Sequence, residues 1–309
     1  MLVDLHCDTV LKLWLHENTH LKSNRFHVDI DKMKKAESLV QFFAMYVDLD
    51  KMKKPLQTCL NMIDKFYQEV EINSDEIAIA YTYDDIEKNR LAGKLTGFIT
   101  IEEGGVIEGN IKNLRNLYRL GVRAMTLTWN YENQIGYPNT DEFRNKGLKP
   151  FGIEVVAEMN RLGMIIDVSH LSDGGFYDVL KYSQRPFVAT HSNARHLRNH
   201  PRNLTDDMLR KLAEAGGVTG MNFCSWFLED DSVSRVDTIA DHIVHIYRTA
   251  GIDVLAIGSD YDGIGGELEL KDISYIHLLE KCLRGRGFSS QAIDKIFYRN
   301  ALRVMKDNF

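Results

Sequence analysis

Eight short apolar runs, each ending in a cluster of polar residues, constrain the fold of this chain more than any other feature of its sequence. In chain order the runs are LVDLHCDT, VQFFAMYVD, LTGFITIEEG, VRAMTLTWN, GMIIDVSH, PFVATHSN, GGVTGMNF and VLAIGSDYDG. Runs that are apolar almost throughout are typical of strands covered on both faces, as in a parallel sheet. The sequence therefore predicts eight buried parallel strands.

The stretches between these runs carry helical patterns. Apolar residues recur at helical spacing along residues 111–120, and Gly121 is placed to end that helix. A second such stretch runs from Thr205, a suitable N-cap, to Gly216. Eight strands that alternate with helices predict an α/β fold, a closed (β/α)₈ TIM-like barrel. An open doubly wound sheet is the alternative, but the chain lacks its glycine-rich phosphate fingerprint.

Length and composition narrow the class of protein further. The chain has 309 residues, five prolines and no low-complexity tract, so we expect a single barrel domain over residues 1–309. Its formal net charge of -6, without a basic run, predicts no nucleic-acid partner. The four cysteines form no CxxC pair, which argues against a disulfide framework and a cysteine zinc site.

The apolar runs are too short for a membrane protein. None approaches the roughly 20 residues of a membrane span. The first predicted strand begins at Leu2 and leaves no room for a removable signal peptide. We therefore expect a cytoplasmic protein without a membrane partner.

Ligand-type side chains follow five of the eight predicted strands. In a barrel of this kind the active site lies at the C-terminal ends of the strands. His6 and Asp8 share one strand face, and a satisfied polar pair near a strand end would explain these two alone. The complete set favours a metal site and comprises His6, Asp8, Glu102, Glu103, Asp167, His170, His191, Asp260 and Asp262. Imidazole and carboxylate without thiolate suit zinc, manganese or iron, and a carboxylate can bridge two ions.

Six sequence blocks carry a resemblance to a known family. FITIEEGG, TLTWN, IIDVSHLS, VATHSNAR, HPRNL and AIGSDYDG occur in this order. Over nearly its whole length the chain resembles the membrane (renal) dipeptidase family of zinc peptidases, peptidase family M19, within the amidohydrolase-like barrels. The resemblance implies a site with two zinc ions and cleavage of dipeptides, often with a D residue at the C-terminal position. It also makes a homodimer plausible.

The resemblance assigns ligands to both ions. It implies that His6 and Asp8 bind one zinc ion, that His170 and His191 bind the other, and that Glu103 bridges the two. Glu103 is preferred to Glu102 because the family's bridging glutamate directly precedes paired glycines. Strand alternation would then turn Glu102 away from the metals.

Two further residues receive roles from the same resemblance. Arg202 resembles the arginine that holds the terminal carboxylate of the substrate, a task that suits the guanidinium fork. Asp260 resembles the catalytic carboxylate after the last strand. Asp262, two residues later, is expected to be a hydrogen-bonding support, although the sequence leaves the choice between the two aspartates open.

The chain departs from the family pattern at Trp129. Better-known members carry a histidine here that stabilises the carbonyl oxygen in the transition state. An indole has one N–H donor and cannot act as a cation, so Asn130 or Tyr131 takes over or the pocket serves another substrate. Trp129 could equally form an apolar wall.

The resemblance, together with these residues, implies a zinc-dependent dipeptidase that acts on small dipeptides. A water or hydroxide shared between two zinc ions would attack the peptide bond, and Asp260 would move the proton to the leaving amine. One alternative is a hydrolase of other small amides or lactams on the same metals. The other is a non-catalytic barrel that retains metal.

Overall fold

A computed structural model describes residues 1–309, and its strands form one large sheet and one small one. The strands are β1 (Leu2–Cys7), β2 (Ser38–Tyr46), β3 (Ile77–Ile79), β4 (Leu95–Glu102), β5 (Val122–Thr126), β6 (Ile165–Asp167), β7 (Val188–Ala189), β8 (Val218–Met221), β9 (Val233–Ser234), β10 (Leu255–Ile257) and β11 (Glu267–Leu268). Eight of them close into a parallel barrel in the order β1, β2, β4, β5, β6, β7, β8, β10, and β10 pairs with β1. The predicted (β/α)₈ barrel is confirmed, and each predicted run overlaps one barrel strand.

Three strands lie outside the predicted set. β3 pairs with the first residues of β4, and β5 pairs with the last residues of β4. β3 therefore extends the sheet beyond the N-terminal end of β5. β9 and β11 form a separate two-stranded parallel sheet. All three are two or three residues long, too short for a periodic pattern.

The helices follow the strands around the barrel. They are α1 (Thr9–Leu15), α2 (Ile30–Lys35), α3 (Pro55–Ile72), α4 (Tyr83–Leu91), α5 (Ile111–Arg119), α6 (Pro150–Leu162), α7 (Asp173–Tyr182), α8 (Asp206–Glu214), α9 (Ser225–Leu228), α10 (Val236–Ala250), α11 (His277–Gly285), α12 (Ser290–Asp294) and α13 (Asn300–Asn308). A π-helix joins α12 to α13, and short 3₁₀ helices occupy residues 104–107, 252–254 and 273–275. None of the helices is both long and apolar enough to cross a membrane.

Local sequence signals explain the two helices that were predicted individually. Thr205 caps α8, because its hydroxyl accepts a hydrogen bond from the backbone N–H of Met208 at 3.2 Å. Gly121 and Gly216 follow α5 and α8 with φ angles of +95° and +75°, a conformation that favours glycine. Both helices therefore end where the sequence indicates.

The core surrounds and fills the barrel. A single cluster of 81 buried hydrophobic residues links the strands to the surrounding helices. All residues of β1 and β4 are buried, as expected for strands covered by the barrel interior on one face and by helices on the other. Because every barrel strand runs in the same direction, the strand C-terminal ends meet at one mouth.

Candidate active site

The mouth of the barrel contains a cavity of about 340 Å³. Its lining includes the predicted site residues Asp8, Trp129, Asn130, His170 and Asp260, together with Glu102. Three other predicted site residues, His6, His191 and Arg202, are buried next to this lining. Residues from six barrel strands and the loops after them thus meet in one place, as the sequence indicates.

Glu102 lies at the centre of the titratable cluster. Its Oε1 is 3.0 Å from Nε2 of His170 and 3.5 Å from Nε2 of His191, and its Oε2 is 3.3 Å from Nε2 of His6. Asp8 Oδ2 is 3.6 Å from the same His6 nitrogen. Each carboxylate oxygen of Glu102 therefore faces a different group of potential ligands.

Glu103 does not face this cluster, and its predicted role as the bridging ligand is wrong. Its carboxylate accepts hydrogen bonds from the backbone N–H of Gly105 at 2.5 Å, from that of Trp129 at 2.8 Å and from Nδ2 of Asn133 at 2.5 Å. The chain leaves β4 after Glu102, and Glu103 has a φ of +91°. Its side chain is thereby directed to the loop after β5, and Glu102 instead lies between His6 on one side and His170 and His191 on the other.

A buried hydrogen-bond chain fixes the tautomer of His191. Asp167 Oδ2 can only accept, and it receives hydrogen bonds from the hydroxyls of Thr126 at 2.5 Å and Thr190 at 2.6 Å. The Thr190 hydroxyl has thus used its proton, so at 2.8 Å it accepts from Nδ1–H of His191. Nε2 of His191 is left without a proton and faces the cluster.

His170 is held in the same tautomer by Asn130. Nδ1 of His170 lies 3.0 Å from Oδ1 of Asn130, which is an acceptor, so Nδ1 carries the proton. Nε2 of His170 is therefore also a bare acceptor, and it lies 3.0 Å from Nε2 of His191. Two lone pairs at this distance repel each other unless a cation lies between them.

Unpartnered polar atoms support the same interpretation. Nε2 of His6 and Oδ1 of Asp8 are buried and have no hydrogen-bond partner in the chain. Buried polar atoms are normally paired, and exceptions of this kind are expected where an ion binds. The donor set, with imidazole nitrogens and carboxylate oxygens but no thiolate, fits the metal ions that the sequence predicts.

Burial is the main cause of the pKa shifts of the carboxylates and of two of the three histidines in the cluster. Burial raises the pKa of Glu102 to about 8 and that of Asp260 to about 6. Burial alone would lower the pKa of His6, but the charges of Glu102 and Asp8 outweigh it and raise that pKa well above its ordinary value. Burial holds the pKa values of His170 and His191 well below the ordinary value, so both rings stay neutral and able to bind metal.

The two aspartates after β10 have different partners. Asp260 belongs to the cluster, since its Oδ1 is 3.9 Å from Nε2 of His6 while Asn222 donates to its Oδ2 at 2.8 Å. Asp262 accepts from the Thr9 hydroxyl at 2.6 Å and from the backbone N–H of His27 at 2.8 Å. Asp262 therefore connects the mouth to α1 and to the loop before α2, as a support would.

Arg202 is buried beside the cluster and only partly paired. Its Nη2 donates to the carbonyl oxygen of His191 at 3.3 Å, whereas its Nε and Nη1 have no partner. The guanidinium lies 5.3 Å from the ring centre of Phe227, which lines the cavity. A buried cation with two unused donors fits a carboxylate-bearing ligand.

The loop after β5 carries the three predicted substrate-binding residues. Trp129 packs edge-on against Tyr46 at a ring-centre distance of 4.9 Å and forms part of the cavity wall. Asn130 lines the cavity and orients His170, whereas Tyr131 packs against Trp129 and is not part of the lining. Of the two residues expected to replace the family histidine, only Asn130 is therefore in position.

Backbone strain is concentrated at this mouth. Of seven residues other than glycine with positive φ, four lie in the loops that follow barrel strands, namely Glu103, His170, Asp260 and Asp262. Residues other than glycine rarely adopt this conformation, and they do so mainly where the surroundings hold them for function. Of these four, only His170 and Asp260 belong to the ligand cluster, so the strain lies at the same mouth as the cluster without coinciding with it.

Comparison with known proteins places the chain in a family. The sequence model of the membrane dipeptidase family (peptidase family M19) matches residues 1–308. The chain belongs to this family, and it is a metallo-dipeptidase.

Individual relatives agree with this assignment. The chain is 33% identical to an uncharacterized dipeptidase of Schizosaccharomyces pombe, over 99% of this chain and 80% of that protein. It is 30% identical to the dipeptidase tcpJ of Claviceps purpurea, over 91% of this chain and 69% of that protein. Its fold matches that of a metallo peptidase from Rhodobacter sphaeroides liganded with a phosphinate mimic of the dipeptide L-Ala-D-Ala, with a TM-score of 0.92, 24% identity and coverage of 100% of this chain and 99% of that chain.

Proposed function

We propose that this dipeptidase depends on zinc and holds two ions. One ion would bind to His6, Asp8 and Glu102, and the other to Glu102, His170 and His191. In each set the ligand atoms lie within 4.8 Å of one another. When bound, zinc supplies Lewis acidity and activates water at neutral pH.

The substrate class is inferred from the buried guanidinium of Arg202, whose Nε and Nη1 are unpaired. The terminal carboxylate of a dipeptide would satisfy both donors and would bring the only peptide bond of the substrate to the adjacent cluster. A longer peptide has no carboxylate at this distance from its first peptide bond. Arg202 therefore selects for a free carboxylate one residue beyond the cleaved bond, which a dipeptide supplies together with its only peptide bond.

Asp260 is the proposed proton carrier. Asn222 holds one of its oxygens at 2.8 Å, and the other faces the ligand cluster. A pKa raised by burial to about 6 suits a group that takes a proton near neutral pH and returns it to the leaving amine. Asn130 keeps His170 in its ligating tautomer, and Trp129 forms part of the cavity wall.

We also propose that L-Xaa-D-Xaa dipeptides are among the substrates. The solved structure of the Rhodobacter sphaeroides peptidase, whose fold this chain shares, holds a mimic of L-Ala-D-Ala. A homodimer and a cytoplasmic location remain predictions.

Metal analysis together with a substrate panel tests the proposal. The purified protein should hold two zinc ions per chain and should cleave L-Ala-L-Ala and L-Ala-D-Ala but not the tripeptide Ala-Ala-Ala. Protein reconstituted with zinc, manganese or cobalt that cleaves no dipeptide would disprove the dipeptidase function. Protein that is active with one ion per chain would disprove only the two-ion site.

A further inference from the structure

The cavity lining contains one lysine and no arginine. This lysine is Lys12 on α1, and no carboxylate oxygen lies within 4.0 Å of its ammonium nitrogen. Lys12 is partly buried between cavity and solvent. Its positive charge thus faces a ligand site without an internal counterion.

The acidic groups nearby are already engaged. Asp8, Glu102 and Asp260 belong to the ligand cluster. Asp262 accepts hydrogen bonds from the Thr9 hydroxyl and from the backbone of His27. No acid of the lining is therefore left to neutralise Lys12.

Lys12 lies within reach of a bound dipeptide. It follows Asp8, the N-cap of α1, by four residues, so it is on the same helix face about 6 Å further along the axis. An extended dipeptide is about 7 Å long, at roughly 3.5 Å per residue. A substrate whose peptide bond is at the cluster can therefore bring a side chain to Lys12.

The surroundings of Lys12 strengthen an ion pair there. Leu11 and Ile264, which are partly buried and packed on the core, line the same cavity. Apolar walls lower the local dielectric constant, which makes attraction between opposite charges stronger than on an open surface. A carboxylate is thus favoured over a neutral amide at this position.

We propose that Lys12 selects dipeptides with an acidic side chain, aspartate or glutamate, at one of their two positions. This inference rests on the proposed dipeptidase function, and within it Arg202 binds the terminal carboxylate while Lys12 binds the side-chain carboxylate. An alternative role for Lys12 is purely structural, because a lysine in the last turn of α1 stabilises the helix C-terminus.

Matched acid and amide substrates test the proposal. The ratio of kcat/KM for Ala-Glu over Ala-Gln, and for Glu-Ala over Gln-Ala, is measured for the wild type, Lys12→Met and Lys12→Arg. We expect the wild type to prefer the acid in at least one pair, and Lys12→Met to lower that ratio by about tenfold, as for a charged hydrogen bond. Lys12→Arg should retain most of the preference.

Lys35→Met is the matched control, since it removes the same charge from an exposed position on α2. Its acid-to-amide ratio should equal that of the wild type. An unchanged ratio in folded Lys12→Met, including equal losses on acid and amide, would overturn the proposal and leave the dipeptidase function intact. A wild type that cleaves no dipeptide would overturn both.

Discussion

The carboxylate of Glu103 accepts a hydrogen bond from the backbone N–H of Trp129 at 2.8 Å. The same carboxylate also binds the side-chain amide of Asn133 at 2.5 Å. Both donors lie in the loop after β5, and this loop carries Asn130, which orients His170. Glu103 therefore acts on the site through this loop, whereas its neighbour Glu102 faces the ligand cluster directly.

This difference predicts opposite results for two conservative substitutions. Glu102→Gln should lose at least one zinc ion per chain and almost all turnover, because an amide is a poor bridging ligand. Glu103→Gln should keep both ions and should lower the free energy of unfolding by about 1–3 kcal/mol, since buried hydrogen bonds to a charged acceptor are weakened. Elemental analysis and denaturant unfolding of the two variants measure both effects. Metal loss in Glu103→Gln alone would restore the assignment from sequence.

The error over Glu103 has a physical explanation in the sequence itself. Along β4, Ile99 and Ile101 share one face with position 103, while Thr100 shares the other with Glu102. Alternation predicts that the two glutamates point to opposite sides, but the family pattern of a glutamate before paired glycines favours the wrong one of the two. The polar Thr100 was the local signal for Glu102.

The fold was more predictable than the site. Strands buried on both faces give continuous apolar runs, so even β7, with two residues, was found from its surroundings. The support of the ligands was not predictable, because Asp167 ends β6 while Thr190 and His191 follow β7, so the link from Asp167 to Thr190 forms only through a tertiary contact. The unpaired charge of Lys12 likewise becomes visible only when the cavity is known.

Metal removal should abolish turnover and lower thermal stability together. Without an ion, the facing Nε2 atoms of His170 and His191 repel each other and the buried carboxylates lack a counterion. We expect chelation to lower the melting temperature and zinc to restore both the melting temperature and dipeptide hydrolysis. Calorimetry and activity assays on the same sample measure this, and undiminished turnover after verified metal removal argues against the metal site.

Arg202→Ala should discriminate between free and C-terminally amidated dipeptides. A charged hydrogen-bond pair contributes about 1.5–3 kcal/mol, so kcat/KM for free dipeptides should fall by roughly 10- to 150-fold. Amidated dipeptides have no carboxylate to lose and should be affected far less. Equal losses on both substrates would mean that Arg202 only supports the backbone at His191.

The ion pairs of Glu158 on α6, away from the site, should make a pH-dependent contribution to the free energy of unfolding. Hydrogen bonds from Arg161, and then from Arg115, lower its pKa from 4.5 to about 2. A carboxyl whose pKa is depressed by folding stabilises the protein above its unfolded pKa, and this stabilisation is lost as the pH falls towards 2. Because the arginines are 39% and 62% exposed, we expect a contribution of only about 1–2 kcal/mol.

The matching measurement compares Glu158→Gln with the wild type by denaturant unfolding. The difference in unfolding free energy should be full at pH 7 and should shrink below pH 4.5. Glu154→Gln, at an exposed position of the same helix, is the control and should show no such trend. A difference that stays constant down to pH 3 would refute the ion-pair explanation.

Asp260 and Asp262 lie two residues apart, and their contacts predict different results for the same substitution. Asp262→Asn weakens hydrogen bonds from Thr9 and His27, so it should lower the melting temperature while turnover persists. Asp260→Asn retains the shape of the side chain and leaves the five proposed ligands untouched. Both zinc ions should therefore stay in the Asp260 variant.

Turnover of Asp260→Asn should nevertheless collapse. An amide cannot take up the proton that the attacking water loses, and general acid–base groups typically contribute about 10²- to 10⁴-fold, or roughly 3–5 kcal/mol of barrier. Zinc per chain and dipeptide turnover are measured on one preparation of each variant. Loss of metal from the Asp260 variant would identify Asp260 as a ligand, in keeping with its place near His6 and His191. If the Asp260 variant keeps both ions and near-normal turnover while the Asp262 variant is inactive, the proton carrier is Asp262, and its hydrogen bonds to Thr9 and His27 serve catalysis rather than support.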